Sequence, residues 1–271
     1  MFVGLLRINS LSRDLDAFEK KVILDKNLIH KTVLENQYLG FGAYDGDDLV
    51  ALITAEDFEK SILINNFYYD ENIGADIKQR LVKLLLSNLR HNDKTILILS
   101  KESESEIFQN FGFQSFERFH KAVYSGGSVA FNFSSATAKS ISNDNFMPVL
   151  KRVDLKAYGE NRSEYIENNI LKSSSLILST AFGYQHSYAL SKNIIKLSPW
   201  VMEDILLDDA EKLLRGVIYH RGLKKLVAMI PKSVPEITNL YKSYKFKFVE
   251  TLPLIYKNEK PNIRLNMIYG F

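Results

Sequence analysis

Residues 67–90 read FYYDENIGADIKQRLVKLLLSNLR. The stretch opens with the end of a β-branched and aromatic run, residues 62–69, which predicts a strand. Gly74 marks a turn, and the apolar residues after it recur every three or four positions, as on one face of a helix. A strand that turns into a helix N-terminus forms an anion site, because the first-turn N–H groups lack intrahelical partners. We therefore expect a strand–turn–helix unit that can hold a diphosphate.

The composition is that of a globular protein with a sizeable core. The chain has 271 residues, 46% of them hydrophobic and 25% charged, which suits two ordinary domains or one large one. A net charge of +3 without a basic block gives no reason to expect nucleic acid. The run at residues 2–6 is too short for a signal peptide, and no apolar window reaches membrane-span length. We expect a cytoplasmic protein with no membrane partner.

The lack of cysteine excludes disulfides, thiol nucleophiles and thiolate metal sites. The five histidines show no i, i+4 pair and no grouping with carboxylates, so we expect no bound metal.

The first half of the chain predicts a strand, two helices, three strands, a helix, a strand, a helix and a strand. The first helix is expected over residues 14–24, with Asp14 as its cap. The sequence Asp-Gly-Asp at 45–47 is a hairpin signal between two strands. Residues 95–99 have the wholly apolar pattern of a buried strand, and Gly112 can end the next helix in a left-handed conformation.

The second half repeats this order of elements with little identity of residues. Small and polar residues at 125–128 and 134–142 mark a boundary, and residues 129–133 between them could form a strand. The last elements are expected to be strands at 252–256 and 263–269, paired as a closing hairpin. We predict an α+β protein with domains at 1–125 and 146–271 and a linker at 126–145.

The element order of the first half, ending in IFQNFGF at 107–113, resembles the GNAT acyltransferase fold over residues 1–125. The second half resembles the C-terminal domain of a tandem GNAT family. Its matching pieces are Asp154, Tyr158, Gly159 and Arg162 for DxxxFGxxR, Ser198-Pro199-Trp200 for GPW, and residues 266–270 for RMYxG. This resemblance implies two consecutive GNAT-like domains, each a mixed, mostly antiparallel twisted sheet flanked by helices.

The resemblance also implies binding of acetyl-CoA or another acyl-CoA where two central strands separate. The residues expected to bind it are Phe67, Tyr68, Tyr69, Asp70, Gly74, Ala75, Asp76, Ile77 and Lys78. Family members have Q/R-x-x-G-x-G/A at the phosphate turn, whereas Ile73, Asp76 and Lys78 occupy those three positions here. Asp76 would repel a diphosphate, although a carboxylate suits a helix N-terminus, so a plain helix start is the alternative. Lys78 or Arg80 could offset the repulsion.

The corresponding turn of the second half, residues 202–209, has four carboxylates and no glycine. We therefore expect the second domain to be degenerate, to bind no CoA in the usual way, and to form a substrate cleft with the first.

A transfer to an amine needs an acid for the departing thiolate and a base for the ammonium. Many GNAT enzymes supply the acid as the tyrosine of YxxxGF. Phe108 replaces it in the first half, and Tyr241 keeps it in the second, where a core aromatic is the alternative role. Tyr69, Tyr124 or water are other candidates for the acid.

The candidate bases have alternative structural roles. Glu56, Asp57 and Glu59 lie near a hairpin tip and are expected to be solvent-exposed charges. His186 could face a cleft or be a satisfied strand residue. Asp154 and Arg162 could form a salt bridge across a bend at Gly159 or clamp a substrate.

The leading interpretation is an acyl-CoA-dependent N-acyltransferase. The acceptor would be a small-molecule or protein amine, attacking directly because no cysteine can carry the acyl group. The alternative is a catalytically inactive GNAT-like protein that binds a ligand or partner.

Overall fold

The computed structural model describes residues 1–89, 93–126, 139–140, 147–170 and 175–271. The strands are β1 Phe2–Leu5, β2 Gly40–Asp45, β3 Asp48–Asp57, β4 Ser61–Tyr69, β5 Thr95–Leu99, β6 Gln114–Tyr124, β7 Lys139–Ser140, β8 Leu176–Thr180, β9 Gly183–Ser191, β10 Ile194–Met202, β11 Lys225–Pro231, β12 Lys247–Lys257 and β13 Ile268–Gly270. The α-helices are α1 Leu11–Phe18, α2 Lys26–Glu35, α3 Ala75–Asn88, α4 Ser105–Gln109, α5 Met147–Tyr158, α6 Ser163–Ile170, α7 Leu207–Arg221 and α8 Pro235–Ser243. Short 3-10 helices lie at Ile8–Ser10, Gln37–Leu39, Glu102–Glu104 and Leu265–Met267.

The chain forms two compact units. The first contains Met1–Phe116 and Pro253–Pro261, and the second contains Glu117–Leu252 and Asn262–Phe271. The first unit therefore takes its last strand from near the C-terminus. The domain limits of 1–125 and 146–271 stay a prediction.

The first unit is a mixed sheet in which only one pair of neighbours is parallel. Strands β1 to β4 pair in sequence as antiparallel neighbours, and β4 then pairs with β5 in parallel. On its other edge β5 pairs antiparallel with the end of β12, from Leu254 opposite Leu99 to Lys257 opposite Ile96. The predicted order of elements in the first half is confirmed.

Helices cover both faces of this sheet. Ile77, Leu81 and Leu85 of α3 share one apolar cluster with Ile64 of β4 and Ile98 of β5. On the opposite face, α1 and α2 pack against β2 and β3. The cluster on that face includes Leu15, Phe18, Ile29, Val33, Tyr44, Leu49 and Leu52. The periodic apolar face that predicts α3 is thus the face that it buries.

The second unit repeats the pattern. Strands β7, β8, β9 and β10 are antiparallel neighbours, β10 pairs with β11 in parallel, and β11 pairs antiparallel with β6. Trp200, Tyr241 and Tyr269 are fully buried in its core together with the inner face of α7. The predicted fold class, a mostly antiparallel mixed sheet with flanking helices, is confirmed.

Three local predictions are wrong, and one lies outside the description. Helix α1 begins at Leu11 and ends at Phe18, so Asp14 stands in its first turn rather than capping it. Residues 252–256 and 263–269 do not form a hairpin, because β12 pairs with β5 whereas β13 pairs with β10. The third is the expected exposure of Glu56, whose side chain is buried. The predicted strand at 129–133 falls outside the described residues, although β7 lies within the predicted linker.

In the parts of the chain that are described, no helix is both long enough and apolar enough to cross a membrane.

Candidate functional site

The two parallel strands of the first unit pair over only four residues. Their register runs from Ser61 opposite Thr95 to Ile64 opposite Ile98. Strand β4 then continues to Tyr69, still paired with β3, whereas β5 ends at Leu99. In the described pairing, the edge of β4 from residue 65 onward is therefore not used by β5. Free backbone groups on a strand edge are available to an extended ligand.

Strand β4 leads into a helix start that is open to solvent. Gly74 is the N-cap of α3, so the N-cap position offers no side chain to accept a hydrogen bond from the first turn. Gly74, Ala75 and Asp76 are exposed, and the first helical bond runs from the Lys78 N–H to the Gly74 carbonyl, at 3.4 Å between N and O. The amides of residues 75–77 lie before that bond, which is the arrangement that binds anions.

The Asp76 carboxylate lies over this helix start. A Cβ atom built on Gly74 would stand 2.5 Å from Asp76 Oδ1. The backbone of Gly74 (φ −61°, ψ 154°) is open to any residue, so the glycine is needed for space and not for its conformation. An acidic side chain therefore stands at the exposed start of α3.

Asp70 organises the turn before the helix. Its Oδ1 accepts hydrogen bonds from the Asn72 N–H and Nδ2, both at 3.1 Å, and its Oδ2 lies 3.0 Å from Lys21 Nζ. The Asn72 N–H, followed by Lys21, holds the pKa of Asp70 below its usual value. The Asp70 side chain is thus engaged in an Asx turn, and its contact with the coenzyme stays a prediction.

The aromatic residues at the end of β4 alternate between the two faces. Phe67 and Tyr69 pack on the α3 side, where the Phe67 ring lies 5.6 Å from that of Phe108. Tyr68 packs with the α1–α2 cluster, and burial raises the pKa of its hydroxyl. Ile77 is buried in the α3 cluster, and Lys78 Nζ sits 3.7 Å from the centroid of the Tyr69 ring. Of the predicted binding residues, those at positions 74–76 are exposed, those at 67–70 and 78 are partly exposed, and Ile77 is buried.

A buried acid meets the end of β4. The Tyr69 hydroxyl donates to Glu104 Oε1 at 2.7 Å, and the Lys101 N–H donates to Glu104 Oε2 at 2.8 Å. Burial raises the pKa of Glu104, and burial together with this carboxylate raises the pKa of Tyr69. The Tyr69 hydroxyl therefore holds its proton firmly and is a weak proton donor in this arrangement. Glu104 carries no sequence signal beyond the spacing Lys101–Glu104 of a capping box.

A second polar group lies on the α1–α2 face of β4. Glu56 is buried, accepts from Thr32 Oγ1 at 2.5 Å and lies 3.4 Å from Asn65 Nδ2. The expectation that Glu56 is a solvent charge is thus wrong, because α2 covers this end of β3. Asp57 and Glu59 are exposed as expected.

The second unit differs at the equivalent place. Strands β10 and β11 pair only from Ile194 to Lys196, and β13 then pairs with β10 at Trp200 and Val201. The Phe271 N–H also donates to the Met229 carbonyl of β11 at 2.9 Å. The C-terminal strand thus occupies the space where β10 and β11 separate. Helix α7 has Asp208 and Asp209 in its first turn, and Leu206 caps it without a side-chain bond.

Tyr241 belongs to this filled region. It is fully buried, and its hydroxyl donates to the Tyr269 carbonyl of β13 at 2.6 Å. Burial raises its pKa well above the ordinary value. This environment is that of the core-aromatic alternative. Tyr124 is likewise buried and packs against Phe246.

The other candidate groups of the second unit have structural partners. His186 Nδ1 lies 2.8 Å from the Ser198 carbonyl, and Nε2 lies 2.9 Å from Ser175 Oγ. Arg162 Nε and one of its terminal nitrogens contact the two oxygens of Asp154, at 3.0 and 2.9 Å, with both side chains buried. Gly159 between them has φ +71°, which makes the predicted bend.

Across the described residues, no group of three or more His, Asp or Glu side chains is arranged to hold a metal ion.

Comparisons with known proteins identify the fold. No protein-family model and no curated protein matches the chain. Among solved structures, an inferred acetyltransferase from Pyrococcus horikoshii gives a TM-score of 0.77 at 16% identity, covering 100% of this chain and 93% of its own. A GCN5-related N-acetyltransferase from Sphaerobacter thermophilus gives 0.65 at 11% identity, with coverage of 100% and 98%. A tandem GNAT protein from the clavulanic acid biosynthesis pathway gives 0.64 at 11%, with coverage of 94% and 98%.

The chain therefore has the fold of the GNAT N-acetyltransferases, with a separated pair of parallel strands in each unit. Across its whole length it has the tandem form of that fold, and the predicted resemblance is confirmed at this level.

Proposed function

We propose that this protein transfers an acyl group from acyl-CoA to an amine, and that the first unit holds the coenzyme. The observation that carries this is the free edge of β4, which leads directly into the exposed start of α3. The second unit has the same strands, but β13 fills its opening and two aspartates stand at its helix start. The fold shared with acetyltransferases supports the same assignment.

Acyl-CoA has parts that fit these two features. Its pantetheine amides can pair with the backbone of residues 65–69, as an added strand would. Its diphosphate can accept the amides of residues 75–77, where the helix dipole favours negative charge. Lys78 and Lys101, which both lie beside the Tyr69 ring, add positive charge near the strand end. The two backbone interactions and the two lysine charges require few of the side chains in the family's motif.

The reaction would be a direct displacement. The amine nitrogen attacks the thioester carbonyl carbon, the C–S bond breaks, and its electron pair leaves on sulfur, which takes up a proton. The amine nitrogen loses one proton to water in the same sequence. Cysteine is absent from the chain, so no thioester with the protein can form. The Tyr69 hydroxyl is engaged as a hydrogen-bond donor to Glu104, so we assign protonation of the thiolate to water.

A second candidate is a GNAT-like protein that binds a ligand or partner without catalysis. Two observations favour it: the Asp76 carboxylate over the helix start, and the engagement of Tyr241 with the Tyr269 carbonyl.

Calorimetry with acetyl-CoA and longer acyl-CoAs separates the two candidates. The transferase must bind acyl-CoA and therefore give a saturable heat of binding. Gly74→Ile is expected to weaken this binding more than about tenfold, or 1.4 kcal/mol. The backbone at Gly74 accepts any side chain, so the fold should be retained while the isoleucine covers the amides. Gly74→Ala adds one methyl and should give a smaller loss.

Thermal unfolding of both Gly74 variants provides the control for folding. Unchanged affinity in Gly74→Ile would place the coenzyme elsewhere. An absence of heat from the unmodified protein at millimolar acyl-CoA would leave the non-catalytic candidate.

A further inference from the structure

A basic surface lies at one end of the sheet in the second unit, where the β9–β10, α7–β11 and α8–β12 connections meet. Lys225 stands opposite Ile194 at the start of the parallel pair, and its N–H donates to the Asn193 carbonyl at 3.0 Å. Strand β6 ends at the same place with Tyr124, whose ring lies 5.4 Å from that of Phe246. The three connections are therefore neighbours, at the end of the sheet opposite the one where β10 and β11 separate.

The charged side chains on these connections are all cations. The members are five exposed lysines and one half-buried arginine: Lys192, Arg221, Lys224, Lys225, Lys245 and Lys247. Within the described part of the chain, the five lysines form no ion pair. Residues 212–249 contain nine Lys or Arg and one acidic residue, Glu236, whereas the whole chain has 35 basic and 32 acidic residues. The positive charge is therefore concentrated in this part of the second unit.

Helix dipoles account for only part of this charge. Arg221 lies in the last turn of α7 and Lys242 in that of α8, where a cation stabilises the negative end of a helix. Lys192, Lys225 and Lys247 instead lie in a turn or at the first position of a strand. Gathering such like charges on one surface opposes folding. A ligand of opposite charge gives a reason for this arrangement that folding does not.

An apolar side chain projects from the same surface. Leu223 of the α7–β11 connection is 93% exposed, and Tyr219, four residues earlier, is 64% exposed. The backbone around Leu223 is closed as a turn, since the Lys224 N–H donates to the Arg221 carbonyl at 2.9 Å. A leucine is thus held in water beside lysines that precede no acidic neighbour.

We propose that this basic surface docks the protein on an anionic lipid bilayer, with Leu223 inserted among the headgroups. Each Lys or Arg close to such a bilayer strengthens binding about fivefold, and an apolar side chain adds affinity by leaving water. Nucleic acid would attract the same cations, but it stacks its bases on aromatic side chains and gives a leucine little to bind. The exposed leucine therefore favours lipid. The inference does not rest on acyl transfer, because every residue it uses belongs to the second unit.

The sequence alone does not reveal this surface. The expectation of no membrane partner followed from the signal-peptide and membrane-span criteria, and the small net charge gave no reason to look for an anionic partner. The cations come from connections as far apart as residues 192 and 247, and they meet only in the fold. Docking of this kind needs no membrane-spanning helix.

Vesicle co-sedimentation tests the inference on the full-length protein. We expect binding to phosphatidylcholine vesicles that contain phosphatidylglycerol, and none to vesicles of phosphatidylcholine alone. Binding should weaken as salt is added, because salt screens the lysines. Equal binding to the two kinds of vesicle, or no binding to the anionic ones, would overturn the proposal.

A matched pair of double variants tests the lysines. Lys224→Gln with Lys225→Gln should weaken binding to the anionic vesicles about 25-fold, or fivefold for each lysine. Lys20→Gln with Lys83→Gln removes the same charge from exposed positions of the first unit and should bind as the unmodified protein does. Equal affinities of the two double variants would contradict the assignment of the surface.

A second pair of variants tests the leucine. Leu223→Ser should weaken binding to the anionic vesicles about tenfold, whereas Leu34→Ser, at a 67% exposed position of the first unit, should not. Unchanged affinity in Leu223→Ser would overturn the insertion and with it the preference for lipid. A single-stranded RNA that binds the protein more tightly than the anionic vesicles do, and loses affinity in the Lys224 and Lys225 double variant, would replace the bilayer with a nucleic acid.

Discussion

Asp76 is an exposed side chain that should affect both the stability of α3 and the strength of the proposed coenzyme site. A carboxylate in the first turn stabilises a helix through its dipole, and α3 has no side-chain cap in the described structure. The same charge opposes a diphosphate at the amides of residues 75–77. Asp76 therefore trades helix stability against binding, and the two effects can be measured separately.

Asp76→Asn is expected to tighten acetyl-CoA binding by up to about fivefold, because exposed charge pairs contribute roughly 0.2–1 kcal/mol. The gain should shrink as salt is added, since salt screens exposed charges. Calorimetry at two ionic strengths measures both effects.

The control for this variant lies in the second unit. Asp208→Asn removes the same charge from the first turn of α7 and should leave acetyl-CoA affinity unchanged. Weaker binding in Asp76→Asn would mean that the carboxylate contacts the ligand productively.

At the scale of elements, the local sequence pattern predicts helices and turns better than it predicts which strands pair. The 3.6-residue period of α3 and the left-handed Gly112, with φ +83°, follow from neighbouring residues and are correctly predicted. The bend at Gly159 is of the same local kind. The pairing of β13 with β10 joins residues nearly 70 positions apart, and no local signal distinguishes it from a hairpin with β12.

The same limit applies to the candidate site. The turn at Gly74 after β4 is predictable because a strand end, a turn and a helix start are encoded in consecutive residues. The buried surroundings of Glu104 and Glu56 are not predictable in this way, because each depends on side chains from distant segments that meet in the fold. Tyr69 and Glu104 are 35 residues apart, and Thr32 and Glu56 are 24 apart. The sequence around Glu56 predicts an exposed charge near a hairpin tip, whereas α2 covers its side chain in the fold.

The β13 strand also determines what Tyr241 does. Tyr241→Phe should remove its hydrogen bond to the Tyr269 carbonyl and lower the free energy of unfolding by about 1 kcal/mol. Acetyl-CoA affinity and turnover should not change. Denaturant unfolding and steady-state rates provide the two measurements.

Tyr269→Phe is the comparison for Tyr241→Phe, because it removes a buried hydroxyl from the same aromatic cluster without touching that bond. A loss of turnover in Tyr241→Phe at unchanged stability would restore Tyr241 as the general acid.

At the scale of the whole molecule, the first unit depends on the end of the chain. Residues 254–257 cover the edge of β5, whose sequence is TILIL. An uncovered apolar strand edge is a template for pairing with another chain. The second unit likewise needs residues 119–124 of β6 to pair with β11. Neither half of the sequence contains all the strands of one unit.

Fragments test this dependence. Residues 1–126 alone are expected to aggregate, whereas residues 1–126 joined through a glycine-serine linker to residues 252–261 should be soluble and monomeric. Size-exclusion chromatography distinguishes the two outcomes. A monomeric, cooperatively folded 1–126 fragment would show that the β5 edge does not need its partner.

The late arrival of residues 254–257 has a consequence for synthesis in the cell. The first segment of the first unit ends at residue 116, and residue 257 of its second segment is synthesised 141 residues later. At about 5–20 residues per second this leaves the sheet unfinished for roughly 7–28 s. During that interval the apolar edge of β5 (TILIL) is uncovered and can pair with other nascent chains on the same polysome. We therefore expect a ribosome-associated chaperone to bind this segment until translation is nearly complete.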